Sequence, residues 1–243
     1  MKTGAIIQAR MSSSRLPGKV LKLLSGKTVL EHVVARVSLS KMIDEIAVAT
    51  STNSADDPIE EVCKHNSILV YRGSEHDVLS RYYEAAKLFC LDDVVRITCD
   101  CPLIDPHVID ETVSFFKTNQ YDLVSNCGLN ESDNSYPRGL DIEVFSDAVL
   151  KKTFKFAREK YQREHVTVYM YEKLNSFVLS ANINYSDYRL TLDTPEDFKL
   201  IQEIYKELYH GKHNFFLDDI INLFVRNPSL ANINNFVKQK PFK

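Results

Sequence analysis

Short apolar runs alternate with amphipathic stretches over roughly the first 117 residues, and this alternation constrains the fold more than any other feature of the chain. The run at 5–7 has no polar alternation, as expected of a strand buried on both faces of a parallel sheet. Further strand candidates fall at 46–50, 68–71 and 94–98. Between them, Thr28-x-x-Glu31 reads as a capping box opening a helix whose Val29, Leu30, Val33, Val34 and Val37 share one face. Helical patterns follow at 55–65 and 78–89, and Asp105-Pro106 has the cap and first-turn chemistry of a helix running to about 117. These intervals suit right-handed crossovers. Sheets of this kind bind ligands beyond the carboxyl ends of their strands.

Past Tyr121 the pattern loosens. Strand candidates at 123–125 and 140–145 flank a polar run at 128–135, read as a mobile loop and a candidate substrate lid. Helices are expected at 147–156 and 163–174, strands at 177–183 and 188–192, and a helix at 195–209 capped by Thr194-Pro195-Glu196-Asp197. The Asn- and Lys-rich tail from Pro228 is weakly periodic and expected to be peripheral or partly disordered. The expected organisation is one mixed, mostly parallel α/β domain over 1–227, with an acceptor and dimerisation subregion at about 126–185, and a tail at 228–243.

The apolar fraction of 44% and charged fraction of 26% exclude disordered and fibrous classes. A net charge of −3 argues against broad nucleic-acid binding. No stretch reaches the length of a membrane span and no leader features open the chain, so a cytoplasmic protein without a membrane partner is expected. The five cysteines lack paired zinc spacing, and reduced thiols are expected. Only Cys99-x-Cys101 invites a metal; the competing reading is two small buried hydrophobes.

The chemistry concentrates at strand ends. The first strand runs into Gln8-Ala9-Arg10-Met11-Ser12-Ser13-Ser14-Arg15-Leu16-Pro17-Gly18-Lys19, which is neither G-x-G-x-x-G nor a Walker loop. Its small serines let backbone N–H groups approach phosphate oxygens while Arg10, Arg15 and Lys19 supply charge, the makings of a polyphosphate grip. The competing reading is a solvated basic loop. Asp100 and Asp193 each follow a strand candidate and together could share a Mg²⁺; each could equally cap the next turn. Arg138 precedes a strand carrying Asp141 and Glu143 on one face, a mixture able to bind an anionic group through Arg138 and hydroxyls or an amine through Asp141. A salt bridge at a strand mouth explains the same residues. His165 could reach phosphate or orient a carboxylate, although a lone histidine is more often structural.

The run from Gln8 to Lys19 also resembles the nucleotide-binding signature of the cytidylyltransferases that activate acidic sugars, the CMP-Kdo and acylneuraminate type, and most closely the spore-coat polysaccharide branch. Arg96-Ile-Thr-Cys-Asp100-Cys-Pro-Leu-Ile-Asp105-Pro is similar to the family's central metal motif, and Leu190-Thr-Leu-Asp193-Thr-Pro-Glu-Asp197-Phe to its second. Arg72-Gly73-Ser74, Asp77-Val-Leu-Ser-Arg81-Tyr-Tyr, Tyr136-Pro-Arg138-Gly-Leu-Asp141-Ile-Glu143-Val-Phe and Arg163-Glu-His165-Val-Thr extend the likeness through Phe198, with one departure, Cys99 where relatives commonly carry Gly.

The resemblance implies a Rossmann-like nucleotidyltransferase domain of the nucleotide-diphospho-sugar transferase type. It implies CMP transfer from CTP to an acidic sugar or related anionic acceptor with release of pyrophosphate, for surface polysaccharide synthesis. Arg10, Arg15, Lys19, Asp100 and Asp193 would carry catalysis, with Mg²⁺ on the two aspartates. Gln8, Ala9, Arg10, Ser12, Ser13, Arg15, Lys19, Thr50, Arg72, Gly73, Asp77, Arg81 and Thr98 would bind the nucleotide. Arg138, Asp141, Glu143, His165 and Arg189 would bind the acceptor, and a homodimer is expected. The alternatives are another nucleoside triphosphate, a phosphorylated or phosphonate acceptor, or a glycosyltransferase using a finished sugar nucleotide. The last leaves no pyrophosphate for the loop cations to neutralise.

Overall fold

In the computed structural model, residues 1–239 are described, Glu131 by its backbone alone. The first strand, β1 (Thr3–Gln8), is an inner strand of a seven-stranded sheet. The hairpin β2 (Leu23–Leu24) and β3 (Lys27–Thr28) stands apart from it. The other strands are β4 (Glu45–Ser51), β5 (Leu69–Gly73), β6 (Asp93–Thr98), β7 (Leu123–Ser125), β8 (Glu143–Ser146) and β9 (Ser176–Val178), in the spatial order β5-β4-β1-β6-β8-β7-β9. The first four of that order run parallel, β8 is antiparallel to both neighbours, and β7 and β9 are parallel. The chain winds outward from β1 through β4 and β5 and then returns to β6 on the other side. That reversal opens a crevice at the carboxyl end of β1, where Gln8 pairs with Ala49 on one side and Thr98 on the other.

Nine α-helices flank the sheet among the described residues: α1 (Val29–Val37), α2 (Asp57–His65), α3 (Val78–Leu88), α4 (Pro106–Thr118), α5 (Asp147–Phe156), α6 (Lys160–His165), α7 (Val168–Lys173), α8 (Pro195–Leu208) and α9 (Leu217–Arg226). Alternation along β1 sends Ala5 and Ile7 into a core shared with α1, α4, α8 and α9, and Ile6 into a second core with α3 and α5. Local chemistry starts the helices where the sequence indicates. Thr28 and Glu31 form the reciprocal capping box of α1, Asp105 accepts from His107 N–H at the head of α4, and Thr194 and Asp197 form the box of α8. No helix among the described residues is long and apolar enough to cross a membrane.

The second half departs from expectation in several places. The single helix expected at 163–174 is two, α6 and α7, because Val166 adopts φ 62° and ψ −60° and Thr167 N–H donates 2.6 Å to His165 O. This three-residue turn is strained for a β-branched residue. The strand expected at 188–192 is reduced to one bridge between Arg138 and Arg189, that at 177–183 ends at Val178, and that at 140–145 begins only at Glu143. The polar run at 128–135 holds a 3₁₀ turn, Glu131–Asp133. The tail is not peripheral throughout: after the 3₁₀ turn Ala231–Ile233, which packs on α8, Asn234 is 2% exposed. Residues 240–243 of the expected tail lie outside the described residues.

Candidate active site

The loop after β1 is doubled back on itself before it delivers its cations. Ser13 and Gly18 N–H both donate to Met11 O, while Met11 N–H is held 2.7 Å from Asp56 Oδ1. Gly18 takes φ 66° to enter the short turn Lys19–Leu21, a left-handed step that glycine makes without Cβ strain. Lys19 is thereby turned inward. Its Nζ donates 2.7 Å to Asp100 Oδ2 and 2.9 Å to Asp193 Oδ1.

The two aspartates meet because their backbones are joined. Leu192 N–H donates 2.8 Å to Asp100 O, and the Thr191 hydroxyl reaches the same oxygen. Asp193 is fixed further by Arg15 and Arg189, whose Nη2 atoms each stand 2.9 Å from Oδ2, and by its own N–H donating 3.0 Å to Asp197. Burial opposes ionisation of Asp100, but the Lys19 ammonium outweighs it and brings the carboxyl down to about 2. Burial likewise works against the charge on Lys19, and the two carboxylates hold its pKa above the ordinary value. One ammonium bridging two carboxylates shows that a cation fits between Asp100 and Asp193. Hard oxygen donors of this kind suit Mg²⁺.

Two joined recesses of about 210 and 480 Å³ open from this corner and share Gln8, Arg10, Arg15, Thr98, Asp100 and Asp193. The smaller also takes in Ser13 and Lys19; the larger takes in Arg138, Asp141, Glu143 and His165. Gly139 makes the larger one. It has φ 105°, and a Cβ there would lie 2.4 Å from Thr191 N, so only glycine lets the Arg138 segment close on the segment before Asp193. Arg138 Nη1 is 3.6 Å from Asp141 Oδ2. Burial raises the Asp141 carboxyl, Asp100 and Glu143 raise it further, and Arg138 offsets part of this. Glu143 pairs with Arg96 and accepts 2.6 Å from the Thr167 hydroxyl. Burial lowers the His165 pKa, with Arg96 and Arg10 contributing, so the imidazole is neutral near pH 7.

Several residues expected to touch nucleotide do not line the recesses. Thr50 is fully buried in β4, and Ala9 is buried with its N–H on Ala49 O. Arg72 is spent on Asp57, Glu60, Ser51 O and Asn53 O, which ties the end of β5 to α2. Gly73 packs under Tyr71 and Arg81. Asp77 caps α3 and pairs with Arg163. Ser12 is exposed outside both recesses. Arg81 is 1% exposed, and none of its guanidinium nitrogens has a hydrogen-bond partner. Arg189, expected to bind the acceptor, stands behind Asp193 rather than on the wall.

Residues the motifs did not single out complete the larger recess. Arg96 and Thr167 form its polar floor, and Gln239 reaches it from the tail. Arg96 was detectable, since it lies two residues before Thr98 and so on the same face of β6. Gln239 carried no signal.

A family model described as cytidylyltransferase matches residues 4–223. The chain belongs to that family. An uncharacterized protein of Methanocaldococcus jannaschii is 40% identical over all of this chain and 98% of its own length. The spore coat polysaccharide biosynthesis protein SpsF of Bacillus subtilis is 31% identical, covering 93% of this chain and 95% of its own. The solved structure of a cytidylyltransferase from Leptospira borgpetersenii superposes with a TM-score of 0.88 at 36% identity, over 95% of this chain and 97% of that one. The enzyme is therefore a nucleotidyltransferase, and its α/β architecture is that of the family.

Proposed function

We propose that the enzyme transfers CMP from CTP to an acidic sugar or related anionic acceptor, releases pyrophosphate, and serves surface polysaccharide synthesis. The reading includes Mg²⁺ as the metal, a cytoplasmic setting and a homodimer. The observation that carries it is the meeting of Lys19 and Arg15 with Asp100 and Asp193 at the carboxyl ends of β1 and β6. A triphosphate needs both signs of charge there: cations for the leaving pyrophosphate and carboxylates for a metal ion.

The acceptor hydroxyl oxygen attacks the α-phosphorus in line and gives up its proton to solvent, its new P–O bond forming as the bond to the bridging oxygen breaks and that oxygen leaves with the electron pair. Arg10, Arg15 and Lys19 neutralise the departing pyrophosphate, the latter two exchanging Asp193 for phosphate oxygens. Asp100 and Asp193 would hold a Mg²⁺, which when bound would supply further charge neutralisation at the phosphates. Catalysis rests on positioning and charge stabilisation, and no covalent nucleophile is needed. Arg138 takes the acceptor's anionic group, Asp141 its hydroxyls or an amine, and Glu143 with Thr167 and His165 the remaining polar edge. Arg81, buried outside both recesses, backs the base-binding side from within the core. Thr50, Arg72, Gly73 and Asp77 shape that side of the site from behind.

The test is to incubate the protein with Mg²⁺, each of the four nucleoside triphosphates, and 3-deoxy-manno-octulosonate, N-acetylneuraminate, and phosphorylated and phosphonate acceptors, measuring pyrophosphate and product mass. Pyrophosphate together with a CMP-linked sugar acid, from CTP alone, is expected. A nucleotidyl product from another triphosphate, or on a phosphonate alone, overturns the reading.

A further inference from the structure

The corner that holds Asp193 has a component from the far end of the chain. Asp197 is the hub: fully buried, it accepts from Arg189 Nε at 2.9 Å, from the N–H groups of Asp193 and Thr194 at 3.0 Å each, and from the Asn234 side-chain amide at 2.8 Å. The Asn234 amide also donates 3.0 Å to Arg189 O. One NH₂ group thus satisfies both the carboxylate that holds the Asp193 backbone and the backbone of the arginine that holds the Asp193 side chain. The 3₁₀ turn Ala231–Ile233 on α8 delivers it, with Leu230 buried in the core just before. Gln239 continues the contact by accepting 2.8 Å from Arg189 Nη1.

We propose that Asn234 is a positioning residue for the metal-holding carboxylate of Asp193, acting through Asp197 and Arg189. The proposal rests on the reading of Asp193 as a metal ligand. Without the Asn234 donors, Asp197 loses one of its neutral partners and the Arg189 backbone loses its tether, so both groups that orient Asp193 gain freedom. Outer partners that orient metal-ligating carboxylates in this way are typically worth about 10–100-fold in metal affinity.

The experiment measures Mn²⁺ affinity by electron paramagnetic resonance in the presence of CTP, on the full chain, for wild type, Asn234→Ala and Asn234→Asp. Near-UV circular dichroism and metal-free CTP binding report the fold separately. Mn²⁺ binding at least tenfold weaker in both variants, with dichroism and metal-free CTP binding retained, is expected. The Asp variant sharpens the sign, because it keeps the shape of the side chain and its added negative charge alone would favour the cation. Mn²⁺ affinity within threefold of wild type in a folded variant overturns the proposal. Failure of both variants to fold also overturns it, assigning Asn234 to the fold instead. If wild type takes up no Mn²⁺ with CTP, the metal reading itself falls and the proposal falls with it.

Discussion

Lys19 stands between two carboxylates that lie 81 and 174 residues away in sequence, at hydrogen-bond distance from both. Replacing it by alanine leaves Asp100 and Asp193 facing each other without their shared cation. Lys19→Ala is therefore expected to lower stability by about 1–3 kcal/mol, less than a fully buried pair would lose because both aspartates keep some contact with water. The same variant should gain more in melting temperature from added Mg²⁺ than wild type, since the metal then takes the place of the ammonium; differential scanning fluorimetry with and without Mg²⁺ reads this. Turnover should fall about 10²–10³-fold, the usual cost of removing one preorganised donor from a developing charge. The contrast with Arg72 is instructive. Both are cations near strand ends, but four local acceptors claim Arg72 and tie it to the end of β5 and α2.

Among the elements, the approach of the Arg138 segment to the segment before α8 shapes one wall of the larger recess. Gly139→Ala places a Cβ within 2.7 Å of three backbone atoms at a φ of 105°. A loss of about 2–4 kcal/mol in chemical denaturation is expected, together with a raised acceptor KM, because Arg138 moves with the backbone. A second link ties α1 to the segment before α9. His32, fully buried, donates through Nε2 to Leu24 O, which leaves Nδ1 to accept from His213 Nε2 at 2.8 Å. That arrangement requires a neutral His32, whereas a second proton on His213 would sit on its Nδ1. Burial brings His213 down to about 4, with His32, Arg36 and Lys27 adding to the effect, and burial lowers His32 as well. Both folded pKa values lie below the unfolded one, so the unfolded chain binds more protons in between. Stability is full above about pH 6.5 and is lost as pH falls toward 4, by about 1–2 kcal/mol for His213 after allowing for its partial exposure. His213→Gln, which keeps a donor for His32, should flatten the melting-temperature profile over that window.

For the molecule as a whole, the net charge of −3 conceals a cleft in which charges of both signs are already paired with one another. On the proposed reading, the paired state makes the fold independent of metal while the reaction depends on it. Chelation by EDTA should abolish pyrophosphate release, excess Mg²⁺ should restore it, and wild type should keep its melting temperature within a few degrees throughout. A melting temperature that collapses on chelation would show that the lysine does not neutralise the aspartates. The parallel half of the sheet, from β1 to β6 and α4, was legible because each strand carries a short apolar run and α1 and α4 carry their caps in sequence. The half beyond β7 was legible only in part. The pattern at 163–174 is helical throughout, but Val166 breaks it where Thr167 must turn to Glu143 and His165 to the cleft. The alternating stretch at 188–192 finds a single bridge because Asp100 O and Arg138 O take the N–H groups of Leu192 and Leu190.

By itself the sequence determined the class of fold, the buried first strand, the helix caps, and the identity of the cationic loop and two aspartates that meet in the cleft. These follow from local rules: periodicity sets which face is buried, and short polar side chains satisfy the orphan N–H groups of the helix three residues on. Tertiary structure alone decided that Lys19 bridges Asp100 and Asp193, that Arg72 and Asp77 serve the scaffold, and that Asn234 closes on Asp197. Each of those turns on which distant donor satisfies a buried acceptor, a pairing set by packing across the whole chain and carried by no local pattern.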